Sequence, residues 1–139
     1  MDSKLLSFDE VAEGDEAPVL THTLTRSDLV QYAGASGDFN PMHTDEVSAQ
    51  EAGLKSVFGH GMFSAGLLAT AITNWVGIGN LKHYQVRFVK QAWPGEVFTT
   101  KVTVVAKRLD GGVRSIDLEC TLANESGEVK VAGEATATL

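Results

Sequence analysis

The chain has 139 residues, 43% of them hydrophobic, and its 11 Lys and Arg against 18 Asp and Glu leave a formal charge of −7. That length suits one domain over residues 1–139 with a sizeable core, and argues against two. The acidic balance disfavours sequence-independent nucleic-acid binding, which needs basic stripes that release counterions from phosphates.

From Met1 to Gly14 there are five charged side chains and no apolar run of the kind a secretory signal requires, so a cytoplasmic location is expected. A short strand is predicted from Val19 to Leu24. Thr25-Arg26-Ser27-Asp28, ahead of Leu29, Val30, Tyr32 and Ala33, has the form of a capping box and predicts a short helix that Gly34 and Gly37 end. Directly after it comes Gly37-Asp38-Phe39-Asn40-Pro41-Met42-His43. The Gly, Asn and Pro forbid continuous helix, so the Asp38 carboxylate and the His43 imidazole can converge on one small target. Such a pair can share a water and divide the base and acid roles near neutral pH. The plainer alternative is that Asp38 caps a turn and His43 lies on the surface.

Thr44-Asp45-Glu46 through Ala52 predicts a second short helix with acids at its start and Gly53 as its stop, and Leu54 to Phe58 leads into Gly59-His60-Gly61-Met62. The apolar run Met62 to Val76 predicts a helix enclosed on most sides, since its apolar residues cover nearly every face. It is shorter than a bilayer span of ~20 residues and is interrupted by Ser64, Thr70, Thr73 and Asn74, so no membrane helix is expected. Its first N–H groups would face whatever Asp38 and His43 hold, and a helix start favours developing negative charge.

Alternating patterns follow at Tyr84, Val86 and Phe88, then Phe98 to Ala106, Ile116 to Leu122 and Val129 to Ala137, with turn signals at Asp110-Gly111-Gly112 and Asn124 to Gly127. Cys120, the single cysteine, falls in one of these strands and reads as a small buried hydrophobe. No Asp or Glu occurs from Ala52 to Gly95, whereas Lys55, Lys82, Arg87 and Lys90 do, which predicts a locally basic face. One early strand, helices in the middle and three or four antiparallel strands at the end make an α+β protein, with a buried helix against a curved sheet. That layout is the hot-dog architecture.

Other side chains have readings of their own. His60 suits a structural role, donating to backbone carbonyls. Gly61-Met62-Phe63-Ser64-Ala65-Gly66 has one residue too many for the G-x-S-x-G elbow, so Ser64 reads as small-residue packing. His22, His43, His60 and His83 lack H-x-x-x-H spacing, and no metal site is expected. Arg87 and Lys90 are most simply exposed strand ends; the functional option is contact with phosphates or with an acidic partner.

Tyr32-Ala33-Gly34-Ala35-Ser36-Gly37-Asp38-Phe39-Asn40-Pro41-Met42-His43, followed by His60-Gly61-Met62, resembles the MaoC-like (R)-specific enoyl-CoA hydratase and 3-hydroxyacyl dehydratase family. Ile72-Thr73-Asn74-Trp75-Val76-Gly77 and Tyr84-Gln85-Val86-Arg87-Phe88 look like the catalytic B subunit of the type II fatty-acid-synthase (3R)-hydroxyacyl-ACP dehydratase. The resemblance implies a hot-dog fold, dimerisation, and reversible syn addition of water to a trans-2-enoyl thioester of CoA or ACP. It implies no metal and no cofactor. Carried over by position, the catalytic Asp and His fall on Asp38 and His43, and the glycine whose N–H polarises the thioester carbonyl falls on Gly61. Asn40, His60, Met62 and Arg87 are expected around the substrate, Asn40 fixing the His43 ring or its loop. Ala69 stands where the family often has a Ser or Thr hydroxyl on this helix.

Two other functions compete. A hot-dog thioesterase would place a catalytic carboxylate on or beside the central helix, and Met62 to Val76 contains none. A silent acyl-binding subunit would have no use for the Asp38/His43 pair. The dimer is expected to be a homodimer or a heterodimer with a related hot-dog chain.

Overall fold

A computed structural model describes residues 4–139. Strand β1 (Thr21–Thr23) precedes helix α1 (Arg26–Ser36), a 3-10 turn (Pro41–His43) and helices α2 (Glu46–Glu51) and α3 (Gly61–Val76). Strands β2 (Leu81–Phe88), β3 (Val97–Asp110), β4 (Val113–Ala123) and β5 (Val129–Thr138) complete the chain. The five strands form one antiparallel sheet in the order β1-β3-β4-β5-β2.

The expected capping box is present. Thr25 accepts from the Asp28 N–H, and the Asp28 carboxylate accepts from the Thr25 N–H. Gly34 does not end α1, as the sequence reading expected, because its backbone stays helical; the stop is Gly37, whose φ of 78° is left-handed. That turn delivers Asp38 directly after the helix. Asp45 caps α2 through the N–H groups of Val47 and Ser48. The β3–β4 hairpin turns on Gly111 and Gly112, both with positive φ, as a tight two-residue connection requires.

Helix α3 lies across one face of the sheet. Leu68, Ile72 and Val76 pack among Phe98, Val102, Val104, Ile116, Leu118, Leu122, Val131 and Ala135, all buried. Cys120 joins this core as expected, and burial first, with Glu134 second, pushes its thiol pKa up to about 11. The helix is not wrapped all round, however. Met62, Gly66, Thr70 and Asn74 form an exposed row at four-residue spacing, because the sheet covers one side of α3 and the small and polar residues fall on the other.

The terminal strand is interior to the sheet. β5 sits between β4 and β2, and the unpaired edge beside α3 belongs to β2. Gly133 explains how closely β2 approaches: a Cβ there would run into the Gln85 carbonyl and Val86. The Tyr84 hydroxyl then ties β2 to α3 by donating to the Ala65 carbonyl at 2.7 Å. No helix of the described residues is long and apolar enough to cross a membrane.

Candidate active site

The N-terminal end of α3, the Asp38–His43 segment and the chain after β2 enclose a cleft of about 530 Å³. Asp38, His43, His60, Gly61, Met62 and Ser64 all line it, together with Phe88. His43 is buried and Asp38 is half exposed, so the pair joins a dry wall to an open mouth.

The two groups are held from behind. His43 Nδ1 lies 2.6 Å from the Phe58 carbonyl. A carbonyl only accepts, so Nδ1 carries the hydrogen and Nε2 presents its lone pair to Asp38. The Asp38 carboxylate is 3.8 Å from Nε2, too far for a direct hydrogen bond and suited to a bridging water. The other Asp38 oxygen accepts from the Asn40 N–H at 3.2 Å, and the Asp38 N–H donates to Ser36 Oγ at 3.1 Å. An Asx turn thus orients the carboxylate.

His60 lies beneath both. Its Nε2 is 3.2 Å from the Asp38 carbonyl, and its ring stacks on His43 with centroids 3.8 Å apart. Tyr32 packs edge-on against its other side at 4.8 Å. Nε2 therefore bears the hydrogen, and Nδ1 is a buried acceptor with no partner among the described residues. Burial first, and the nearby His43 as well, depress the His60 pKa, outweighing the Asp38 carbonyl bond, so the ring is kept neutral.

Asp38, His43 and His60 bring possible metal ligands within 4.8 Å of one another. A shared ion needs accessible lone pairs that converge, whereas His43 Nδ1 is spent on the Phe58 carbonyl, His60 Nε2 on the Asp38 carbonyl, and His60 Nδ1 is sealed from the cleft. Proton transfer fits the geometry better.

Among the described residues no side chain caps the start of α3. The first backbone bonds at that end run from the Phe63 and Ser64 N–H groups to the His60 carbonyl, which leaves the Gly61 and Met62 N–H groups as free donors beside the cleft. Space at 61 is tight, since a Cβ there would lie 3.0 Å from the Phe88 ring and the ring would have to give way.

Two expected contacts are not brought to the cleft. The Asn40 oxygen caps the 3-10 turn through the Met42 N–H at 3.1 Å, so it fixes the loop and not the His43 ring. Arg87 points to the outer face of the sheet with Lys101 and Glu134, because alternate residues of a strand face opposite sides and Phe88 takes the inner one. The basic face is correspondingly divided: Lys90 borders the cleft, Arg87 does not, and Lys55 sits 4.4 Å over the Trp93 ring.

The sequence reading missed Tyr32, Phe58 and Lys130. Phe58 acts through its carbonyl, which leaves no mark in residue type. Lys130 is buried at the back of the cleft, bound to the Gln91 carbonyl at 2.9 Å and paired with Glu96 and Glu128. Burial opposes its charge, but the two carboxylates outweigh that and hold its pKa above the usual lysine value. A lysine between Val129 and Val131 in a strand was the available signal.

A five-stranded sheet against one helix, with a carboxylate and an imidazole facing a cleft at the start of that helix, defines a hot-dog protein whose cleft has the groups that proton transfer needs. The sequence matches the MaoC like domain over residues 10–124. It is 34% identical over 131 residues to the (R)-specific enoyl-CoA hydratase of Rhodospirillum rubrum, covering 93% of this chain and 88% of that protein. It is also 33% identical over 73 residues to 3-hydroxyacyl-thioester dehydratase X of Mycobacterium tuberculosis, covering 52% and 25% of the two. The R-hydratase PhaJ1 from Pseudomonas aeruginosa superposes with a TM-score of 0.83 at 27% identity, over 93% of this chain and 82% of that one. The chain belongs to the MaoC-like family of hot-dog proteins and is an enzyme of the hydratase/dehydratase class.

Proposed function

We propose that this chain, acting as one hot-dog domain, reversibly adds water to trans-2-enoyl thioesters of CoA or ACP in fatty-acid metabolism, giving (3R)-hydroxyacyl thioesters. The observation that carries this reading is the 3.8 Å gap between Asp38 and the His43 Nε2, opening on an apolar cleft beside free α3 N–H groups. A water in that gap has an acceptor on each side. As its oxygen attacks C3, the pair takes one proton and returns one to C2, and negative charge gathers on the thioester oxygen. The Gly61 N–H meets that charge, and a donor of this kind is typically worth roughly 3–4 kcal/mol in the transition state. His60 and Met62 form the adjoining wall.

Both proton-transfer groups lie on one wall, which favours syn addition and a single enantiomer. The test follows water addition to crotonyl-CoA by the fall in absorbance of the conjugated double bond, with a parallel assay for free thiol. Loss of the double bond with the R enantiomer on chiral chromatography is expected. Thiol release would instead mark a thioesterase, and the S enantiomer would overturn the stereochemical assignment.

A dimer belongs to the same reading. The β2 strand with its open edge is tied to α3, which carries an exposed row, and an unpaired edge is a ready template for a second sheet. A homodimer is the simpler form, since the chain carries a complete Asp38/His43 pair; a heterodimer with a related hot-dog subunit is its alternative. The proposed location is the cytoplasm, a compartment where acyl thioesters are made and consumed.

A further inference from the structure

Helix α3 carries three hydroxyl side chains on its way through the core, and two of them behave alike. Thr70 Oγ1 donates to the Gly66 carbonyl at 2.8 Å, and Thr73 Oγ1 donates to the Thr70 carbonyl at 3.4 Å. This back-bonding is how a hydroxyl in a helix ordinarily satisfies itself. Ser64 does not follow. The carbonyl it would use, that of His60, is taken by the backbone N–H groups of Phe63 at 3.1 Å and Ser64 at 3.5 Å, and Ser64 Oγ makes no hydrogen bond among the described residues.

Ser64 is only 2% exposed, yet it lines the cleft. Among the described residues the one side-chain nitrogen or oxygen that is sealed in without a partner is His60 Nδ1. The unbonded Ser64 Oγ therefore keeps access to the cleft. Side chains on a helix tilt toward its N-terminus, so the hydroxyl of Ser64 leans over the turn that carries the free Gly61 and Met62 N–H groups. A largely buried hydroxyl without a protein partner is poorly satisfied, and a ligand acceptor in the cleft would satisfy it.

We propose that the Ser64 hydroxyl is a second donor to the thioester carbonyl oxygen, beside the Gly61 N–H. The inference rests on the hydratase reading for its substrate. The chemistry of the head group narrows the choice: an enoyl thioester offers a carbon–carbon double bond, a weakly accepting sulfur and one strong acceptor, the carbonyl oxygen. In that reading Asp38 and His43 hold the water, so the adjoining α3 wall is left to the carbonyl. Two donors of different kinds then bracket the oxygen, one fixed by the backbone and one able to rotate as charge builds. Ser64 thus takes a catalytic role in place of the packing role that its sequence context suggested, and it supplies from one turn into the helix the hydroxyl that Ala69 does not.

The test compares the wild type with Ser64→Ala and Ser64→Cys, both close to serine in volume; the thiol is a weak donor. Alanine is the best helix former, so the Ser64→Ala melting temperature should not fall. Loss of one donor at a developing oxyanion should lower kcat on crotonyl-CoA by about 10-fold or more. KM should stay within about twofold, as for an interaction made chiefly in the transition state. The deciding readout is the infrared carbonyl band of bound 3-hydroxybutyryl-CoA, ¹³C-labelled at the thioester carbon. It should move to higher frequency in both variants, because the carbonyl has lost a hydrogen bond. An unshifted band overturns the proposal whatever the rates do. The band needs no turnover, so a wild type that fails to hydrate crotonyl-CoA would sink the hydratase reading while the band still decides whether Ser64 touches the carbonyl.

Discussion

Asp38 and His43 show how little local chain is needed to set an acid–base pair and how much surrounding structure is needed to aim it. The Asx turn, the Phe58 carbonyl and the stacked His60 each remove one freedom from the pair. Asp38→Asn keeps the turn acceptor and removes the charge; His43→Ala removes the ring. Each should cut kcat at least ~100-fold with the fold retained by circular dichroism, since positioned acid–base groups supply roughly 10²–10⁴. Near-normal turnover in either variant would refute the assignment. His60 makes a prediction about pH. Its folded pKa lies below the ordinary 6.5, so it favours the folded state above that value, where it is neutral in both states. As pH falls below 6.5 the unfolded chain takes the proton first, and this stability is lost toward the depressed folded pKa. The melting temperature should therefore drop between about pH 7.5 and 5.5, and His60→Phe should flatten that drop. An equal slope in wild type and variant would dismiss the buried neutral imidazole as its source.

Among the elements, the segment after β2 matters most, because it closes the cleft and has no regular structure of its own. Lys130 on β5 pins it from behind through the Gln91 carbonyl and Glu96, while Glu96 also accepts from the Trp93 N–H and from Asn124. One buried ammonium thus joins the cleft wall to the β4–β5 turn. Lys130→Met fills much of the same space but leaves Glu96 and Glu128 without their cation. Breaking a fully buried pair removes about 3–5 kcal/mol; with Glu128 40% exposed, a loss of about 2 kcal/mol is expected. Urea unfolding measures it, and a midpoint equal to wild type would mean that Lys130 is not the tether.

For the whole molecule, the open β2 edge and the exposed α3 row predict association. A single copy would leave the outer edge of the eight-residue strand β2 unpaired and the α3 row of Met62, Gly66, Thr70 and Asn74 exposed. Light scattering at micromolar concentration should give twice the 14.8 kDa chain mass. An active particle at the chain mass would refute the dimer, and an inactive dimer rescued by a co-expressed relative would favour the heteromeric form.

Much of this protein was legible in its residues. The capping box, the left-handed stop at Gly37, the Asx-type Asp38 segment, the α3 run and the alternating strands are all governed by interactions within a few residues of one another. Local steric and hydrogen-bonding rules therefore place them without the rest of the chain. What tertiary structure alone decided involves groups far apart in sequence. Strand order made β2 and not β5 the open edge; strand parity sent Arg87 to the outer face while Phe88 closed over Gly61. The Phe58 carbonyl on His43, the His60 stack and the Lys130 tether depend on contacts across 15, 17 and 39 residues of chain. Side-chain identity carries no record of which distant backbone oxygen or ring a residue will meet, and such meetings are set by how the helix and sheet pack.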